Sequence, residues 1–292
     1  MARVLIAGCG DVGTALGVAL AADGDQVLGL RRHPECLPAP IIPVRGDLAT
    51  GEGLAAAAAG VTALVYAASA DGFTDDAYRA AYVDGLGRVL DALRGARAPL
   101  ERVLFTSSTA VYAQSDGGAV DETSPTAPSG FSGRRLLEAE ALLLGSGFPA
   151  SVLRLAGIYG PGRRRLIDEV RSGTATVPDG LSIYTNRIHV ADCAGAIRHL
   201  LRLPGSRADG LWLGVDDEPC ERAVVLDWLA DRMDVARPRR VAATGAGARQ
   251  RGGNKRCSNA RLVSSGYAFR YPTFREGYAE VIAALGLASR PA

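Results

Sequence analysis

The stretch RVLIAGCGDVGTALGVALAA, residues 3–22, decides the architecture. Its apolar run, VLIAG at 4–8, leads into glycines spaced G-x-G-x-x-G at Gly8, Gly10 and Gly13, and TALGVALAA at 14–22 then repeats apolar residues three and four positions apart. A buried strand, a glycine turn and a helix therefore follow one another directly. Gly8 permits the tight turn, Gly10 lets backbone approach a pyrophosphate, and Gly13 lets helix and strand pack closely. The helix N-terminus, with Asp11 and Val12, supplies amide donors to an anion. Strand and helix flank the glycines on the sides that a dinucleotide site requires, so these five residues form the expected cofactor cradle.

Working outward, short apolar runs recur at QVLGL (26–30), IIPV (41–44), ALVYAA (63–68), RVLFTSS (102–108) and SVLRL (151–155). Helical periodicity fills the gaps at Tyr78 to Leu93 and Leu136 to Leu144. Continuous apolar strands alternating with helices mean a parallel sheet covered on both faces. The expected fold is α/β: a Rossmann-type doubly wound parallel sheet over residues 1–155, with a smaller C-terminal α/β substrate region over 156–292. Part of the latter, about 186–204, is expected to return to the first domain. An amphipathic helix is expected at Ala223 to Met233, and the Gly-rich segment 244–253 reads as the mobile loop.

Composition excludes several classes. With 48% hydrophobic and 22% charged residues the chain is neither disordered nor fibrous. Its 33 basic and 31 acidic residues leave a formal charge of +2, which gives no reason to expect nucleic acid as a partner. The uncharged stretch Gly53 to Ala70 reads as a helix end followed by a buried strand, so no membrane association is expected. Cysteines at 9, 36, 193, 220 and 257 are odd in number and show no C-x-x-C spacing. No metal site is expected, and a reducing, cytoplasmic setting fits best.

Cofactor choice turns on the end of the second strand. NAD calls for an acid there to bind the ribose hydroxyls, whereas a 2′-phosphate calls for arginine. The chain places Arg31 and Arg32 at that point, so NADP(H) is the expected cofactor, with NAD the alternative.

Several further segments, in order, resemble the extended short-chain dehydrogenase/reductase superfamily, and most its atypical members of the NAD-dependent epimerase/dehydratase type. They are GDL at 46–48, AAS at 67–69, TSSTAVY at 106–112, the R-x-x-x-I-Y-G-P-G run from Arg154 to Gly162, NRIHVADCA at 186–194 and DDEP at 216–219. The resemblance implies that Asp47, with Leu48 beside it, contacts the adenine. It implies that Ala67, Ala68 and Ser69 line the cofactor and that Ser108 orients a substrate carbonyl. It also points to a homodimer paired through Tyr78 to Leu93 and Leu136 to Leu144.

One departure stands out. Redox-active members carry Tyr-x-x-x-Lys on the helix after the serine motif, whereas this chain reads SGFSGRRLLEAE. Aligned on the helix, the pair becomes Phe131 with Arg135, or Gly130 with Arg134. Phenylalanine cannot transfer a proton, and arginine stays charged far above working pH, so either arginine could hold ribose hydroxyls but not act as a general base. Tyr112, Ser108, Thr109, Tyr159, His189 and Glu138 are the candidate replacements. For Tyr112 and Tyr159 the competing reading is a structural tyrosine with a satisfied hydrogen bond; for His189 it is a core histidine.

Asp216, Asp217 and Glu218 read as solvated turn acids rather than a metal cluster. Arg163, Arg164 and Arg165 either meet an anionic substrate or solvate a loop, and Lys255 and Arg256 are weaker candidates of the same kind. Two functions follow. One is an NADP-dependent oxidoreductase of the epimerase/dehydratase type with a rearranged acid/base group, acting on a small polar or anionic substrate. The other is a catalytically inactive NADPH-binding sensor or regulatory protein.

Overall fold

A computed structural model describes residues 1–242 and 253–287; the segment read as a mobile loop, 244–253, lies outside them except for Gly253. Seven parallel strands form the central sheet. They are β1 (Arg3–Ala7), β2 (Gln26–Arg31), β3 (Ile42–Arg45), β4 (Ala63–Tyr66), β5 (Arg102–Ser108), β6 (Ala150–Leu155) and β7 (Gly210–Gly214). Their order is β7-β6-β5-β4-β1-β2-β3. The chain runs outward from β1 in one direction, returns to its other side at β4 and continues the opposite way. A crevice opens at that reversal, beyond the carboxyl ends of β1 and β4.

Alternation along the strands explains why both faces are covered. In β1, Leu5 and Ala7 join one apolar cluster while Val4 and Ile6 join the other; in β4, Leu64 and Tyr66 part from Ala63 and Val65 in the same way. Helices α1 (Asp11–Ala22), α2 (Gly85–Gly95), α3 (Phe131–Leu144) and α4 (Val190–Arg202) supply the covering layers. Leu16 and Leu20 of α1 pack with Ile197 and Leu200 of α4 on one face, and Leu86, Val89 and Leu90 of α2 pack with Leu136 and Leu143 of α3 on the other. Helix α2 continues a helical run that starts at Asp75–Tyr78, capped by the Thr74 hydroxyl, and passes through a π-helical segment at Arg79–Asp84.

The chain's return to the sheet extends to β7, beyond the 186–204 stretch read from sequence. A third apolar cluster forms a smaller lobe, where Leu226 and Leu229 of α5 (Arg222–Met233) meet Phe274 and Val281 of α6 (Phe274–Ala284). Short strands stitch the lobe to the sheet's upper edge: Gly157–Tyr159 with Arg187–His189, and Ala119–Val120 with Arg256–Cys257. No helix among the described residues is long and apolar enough to cross a membrane.

Asp216 corrects the sequence reading of DDEP as solvated loop acids. It is 2% exposed, held where its backbone amide donates to the Arg187 carbonyl at 2.8 Å. Asp217 is exposed and Glu218 only partly so.

Candidate functional site

The cleft at the strand reversal has a volume of about 530 Å³. It is built first from backbone. Gly8 has φ +83°, and a Cβ there would lie 2.5 Å from the Ala68 Cα, so the first turn of the loop admits no side chain. Gly10 is the opposite case: a Cβ added there meets nothing within 4 Å, and no side chain caps the helix that starts at Asp11. An open backbone surface beside an uncapped helix N-terminus suits an anion. These two observations show that the cradle fits the pyrophosphate of a dinucleotide.

The structure brings the sequence-predicted cofactor residues to one lining. Gly8, Gly10, Asp11, Val12, Gly13, Arg31, Arg32, Asp47, Leu48, Ala67, Ala68 and Ser69 all face the cleft, together with Ser108 at the end of β5. Arg31 donates to the Cys9 carbonyl at 3.2 Å. Arg32 forms two bonds, 2.9 and 2.6 Å, to the carboxylate of Asp71. Cys9, inside the glycine loop, is fully buried, and that burial pushes its thiol up to about 11.

The other named residues are placed differently. Tyr112 is buried and off the lining: its hydroxyl donates to the Asp121 carbonyl and accepts from Arg154 Nη1, both at 2.8 Å. Burial holds its pKa above the usual tyrosine range, against the lowering effect of the Arg154 guanidinium. Arg134 donates to the Ser129 carbonyl at 2.6 Å, and Arg135 is tied to Asp75 and Glu138, so neither lines the cleft. Phe131 packs edge-on against Tyr78 and tilted against Phe73. Tyr159 and His189 are buried in contact with each other on the lobe side; His189 Nδ1 accepts from the Ala191 amide at 3.2 Å, and burial depresses its pKa.

Of the three consecutive arginines, only Arg163 lines the cleft, with its Nε 3.1 Å from the Asp11 carboxylate at the start of α1. Arg164 and Arg165 pair with Asp168 and Glu169 along their own helix. Lys255 is buried, its ammonium donating to the Tyr112 carbonyl at 3.2 Å, and burial lowers its pKa. Arg256 donates to the Gly117 carbonyl and lies over the Tyr184 ring. Neither reaches the cleft lining.

Lining residues absent from the sequence reading include Thr106, Ser107, Asp71 and Tyr82. Thr106 and Ser107 stood in the quoted TSSTAVY motif, and Asp71 lies two positions after AAS, so both signals were present. Tyr82 carried none: it falls inside the helical periodicity read from Tyr78 to Leu93, which does not distinguish the π-helical segment Arg79–Asp84. The strand-end hydroxyls are committed unequally. Thr106 donates to the Tyr66 carbonyl at 3.2 Å, and Ser107 donates to Glu140 Oε1 at 2.6 Å. Ser108 Oγ accepts from the Ala110 amide at 3.1 Å and, among the described residues, donates to no neighbour. Beneath them Glu140 and Arg154, each 4% exposed in the side chain, pair at 2.6 and 3.0 Å. No group of three His, Cys, Asp or Glu side chains among the described residues is placed to hold a metal ion.

A model of the NAD dependent epimerase/dehydratase family matches residues 4–210. Protein YeeZ of Escherichia coli K12 is 34% identical over 215 residues, which cover 70% of this chain and 74% of that protein. A Methylobacillus flagellatus structure provisionally assigned as an NAD-dependent epimerase/dehydratase is 37% identical with a TM-score of 0.80, covering 98% of this chain and 99% of that one. MoeE5, solved with UDP-glucose and NAD, is 25% identical with a TM-score of 0.78, covering 97% of this chain and 98% of that one.

Proposed function

Because the chain belongs to the NAD dependent epimerase/dehydratase family, we propose that it binds NADP(H) in the cleft and acts as an oxidoreductase on a small polar or anionic substrate. The observation that carries the reading is the lining itself: one cleft holds the glycine loop, Asp47, the Ala67–Ser69 segment and Ser108. The dinucleotide would supply the hydride chemistry; the chain's residues bind it, orient it and polarise the substrate. Gly10 and the start of α1 receive the pyrophosphate, and Arg31 and Arg32 receive the 2′-phosphate. Of the three hydroxyls at the end of β5, only that of Ser108 donates to no neighbour among the described residues, so it can hydrogen-bond a substrate oxygen as charge develops there. That MoeE5 was solved in complex with both UDP-glucose and NAD supports an anionic substrate alongside a dinucleotide.

A second reading has its own support at the start of α3. Phe131 stands in an aromatic cluster, and Arg134 and Arg135 are engaged away from the cleft, so that helix offers no proton relay. A protein so built could bind NADPH and report its level to a partner without oxidising it.

Calorimetric titration with NADPH and NADH tests both readings. The Gly10→Asp variant has room for its side chain in the protein, so lost binding in a folded variant reports a pyrophosphate shut out by bulk and charge and not a disrupted loop. Replacing Arg31 and Arg32 with alanine should weaken NADPH far more than NADH. If wild-type protein binds neither nucleotide, the cofactor reading falls. Substrate-dependent loss of NADPH absorbance that drops in Ser108→Ala identifies the enzyme; binding with no turnover on any carbonyl or sugar-nucleotide substrate identifies the sensor.

A further inference from the structure

The ion pair between Arg32 and Asp71 bears on which dinucleotide the cleft prefers. Arg32 follows β2, and Asp71 follows β4 by way of the Ala67–Ala70 segment. Since β1 lies between β2 and β4, the pair spans the carboxyl end of β1 and the glycine loop that leaves it. Both residues line the cleft, and their side chains are 56% and 71% exposed, so an entering ligand can reach them. The two nitrogens of the guanidinium fork are both engaged, at 2.9 and 2.6 Å. The sequence lacks an acid at the end of β2; the fold brings one there from the far side of β1.

We propose that Asp71 sets the cofactor preference by competing with a ribose 2′-phosphate for Arg32. The proposal rests on the reading that Arg31 and Arg32 receive that phosphate. A phosphate approaching Arg32 must displace the carboxylate or share the fork with it, and the displaced carboxylate then stands beside a group of the same sign. A ribose 2′-hydroxyl brings no such conflict, because it can donate to Asp71 while Asp71 keeps Arg32. Asp71 thus works against NADPH and for NADH, while the two arginines work the other way. Cofactor choice is a balance between one acid and two bases held on two different strand ends.

The decisive experiment titrates the full chain by calorimetry with NADPH, NADH and adenosine 2′,5′-bisphosphate, in wild type, Asp71→Asn and the Arg31→Ala/Arg32→Ala double variant. Asp71→Asn keeps the shape and removes the charge. It should tighten NADPH and the bisphosphate by roughly tenfold, the scale of one exposed bidentate pair plus a neighbouring like charge, and should leave NADH unchanged or weaker. If the double variant loses NADPH selectively while Asp71→Asn leaves the NADPH/NADH ratio unaltered, the role of Asp71 is overturned and the phosphate site stands. If the double variant weakens both nucleotides equally, the phosphate site itself is overturned and the role of Asp71 with it.

Discussion

Replacing Asp216 with asparagine should stabilise the protein by an amount that grows with pH. The carboxyl is buried beside Tyr159, Tyr278 and Arg187; its Oδ1 accepts from the Glu218 amide at 3.3 Å, and its Oδ2 has no hydrogen-bond partner among the described residues. Burial raises its pKa to about 8, and Asp217 and Glu218 add to the rise while Arg187 opposes it. In the unfolded chain the same group ionises near 4. Below that value both states hold the proton and the site makes no pH-dependent contribution. Between about 4 and 8 the folded state holds a proton that the unfolded state has released, so rising pH favours unfolding by about 1.4 kcal/mol per pH unit. Asparagine carries no such proton. The variant's stability relative to wild type should therefore rise by about 3 kcal/mol between pH 5 and pH 7. Any fixed cost of seating an amide at Oδ2 is the same at both pH values and cancels in the difference. The depressed His189, whose own contribution rises with pH, is common to both proteins. Urea unfolding of the two proteins at pH 5, 6, 7 and 8 measures the quantity directly. A stability difference that stays flat over this range, or one in which the wild type gains on the variant as pH rises, refutes the reasoning.

The ion pair of Glu140 and Arg154, each 4% exposed in the side chain, gives a second test. Glu140→Ala leaves the Arg154 guanidinium buried without its counter-charge and should cost about 3–5 kcal/mol, while Glu140→Leu with Arg154→Met should cost much less; chemical denaturation of the set distinguishes this from a simple sum. Arg163→Ala removes the cation that bridges to Asp11 over the start of α1, and should weaken NADPH and NADH by the same several-fold factor with their ratio preserved. A change in the ratio would place Arg163 near the ribose instead. Cys36 is the one exposed cysteine of the five. A maleimide should therefore label one site in the native protein, read by intact mass, and five after denaturation.

The parts of the fold legible in the sequence are those whose cause is local. The strands that become β1, β4 and β5 announce themselves because both faces of the sheet are covered, which forces unbroken apolar runs. The glycine loop is legible because Gly8 has no room for a Cβ at φ +83°, a demand met by one residue type. What escaped depends on partners far along the chain. Asp216 is buried beside the strand Arg187–His189, Tyr159 and Tyr278 of α6, none of them adjacent to it in sequence. Tyr112 is fixed by Arg154, and the cleft pair of Arg32 and Asp71 joins two strand ends that meet only when the sheet forms. Asp11 and Arg163 meet in the cleft from 152 positions apart.

Binding and chemistry are therefore built by different means in this cleft. The cradle is backbone, dictated by Gly8, Gly10, Gly13 and a helix N-terminus. The reactive end is side chain, and its proton inventory is narrow. Thr106 and Ser107 have given their hydroxyl protons to the Tyr66 carbonyl and to Glu140, and Phe131 has none to give. Tyr82 lines the wall beside the Ala70 backbone, but burial raises its pKa, so at neutral pH it can donate a hydrogen bond and cannot serve as a base. In the proposed oxidoreductase, Ser108 and Tyr82 can hydrogen-bond a substrate oxygen, but neither can hold the transferred proton near neutrality, so that proton passes to or from solvent in both directions. Turnover should then vary smoothly with pH, without the break that an ionising base of the protein would impose, and a bell-shaped profile would refute this.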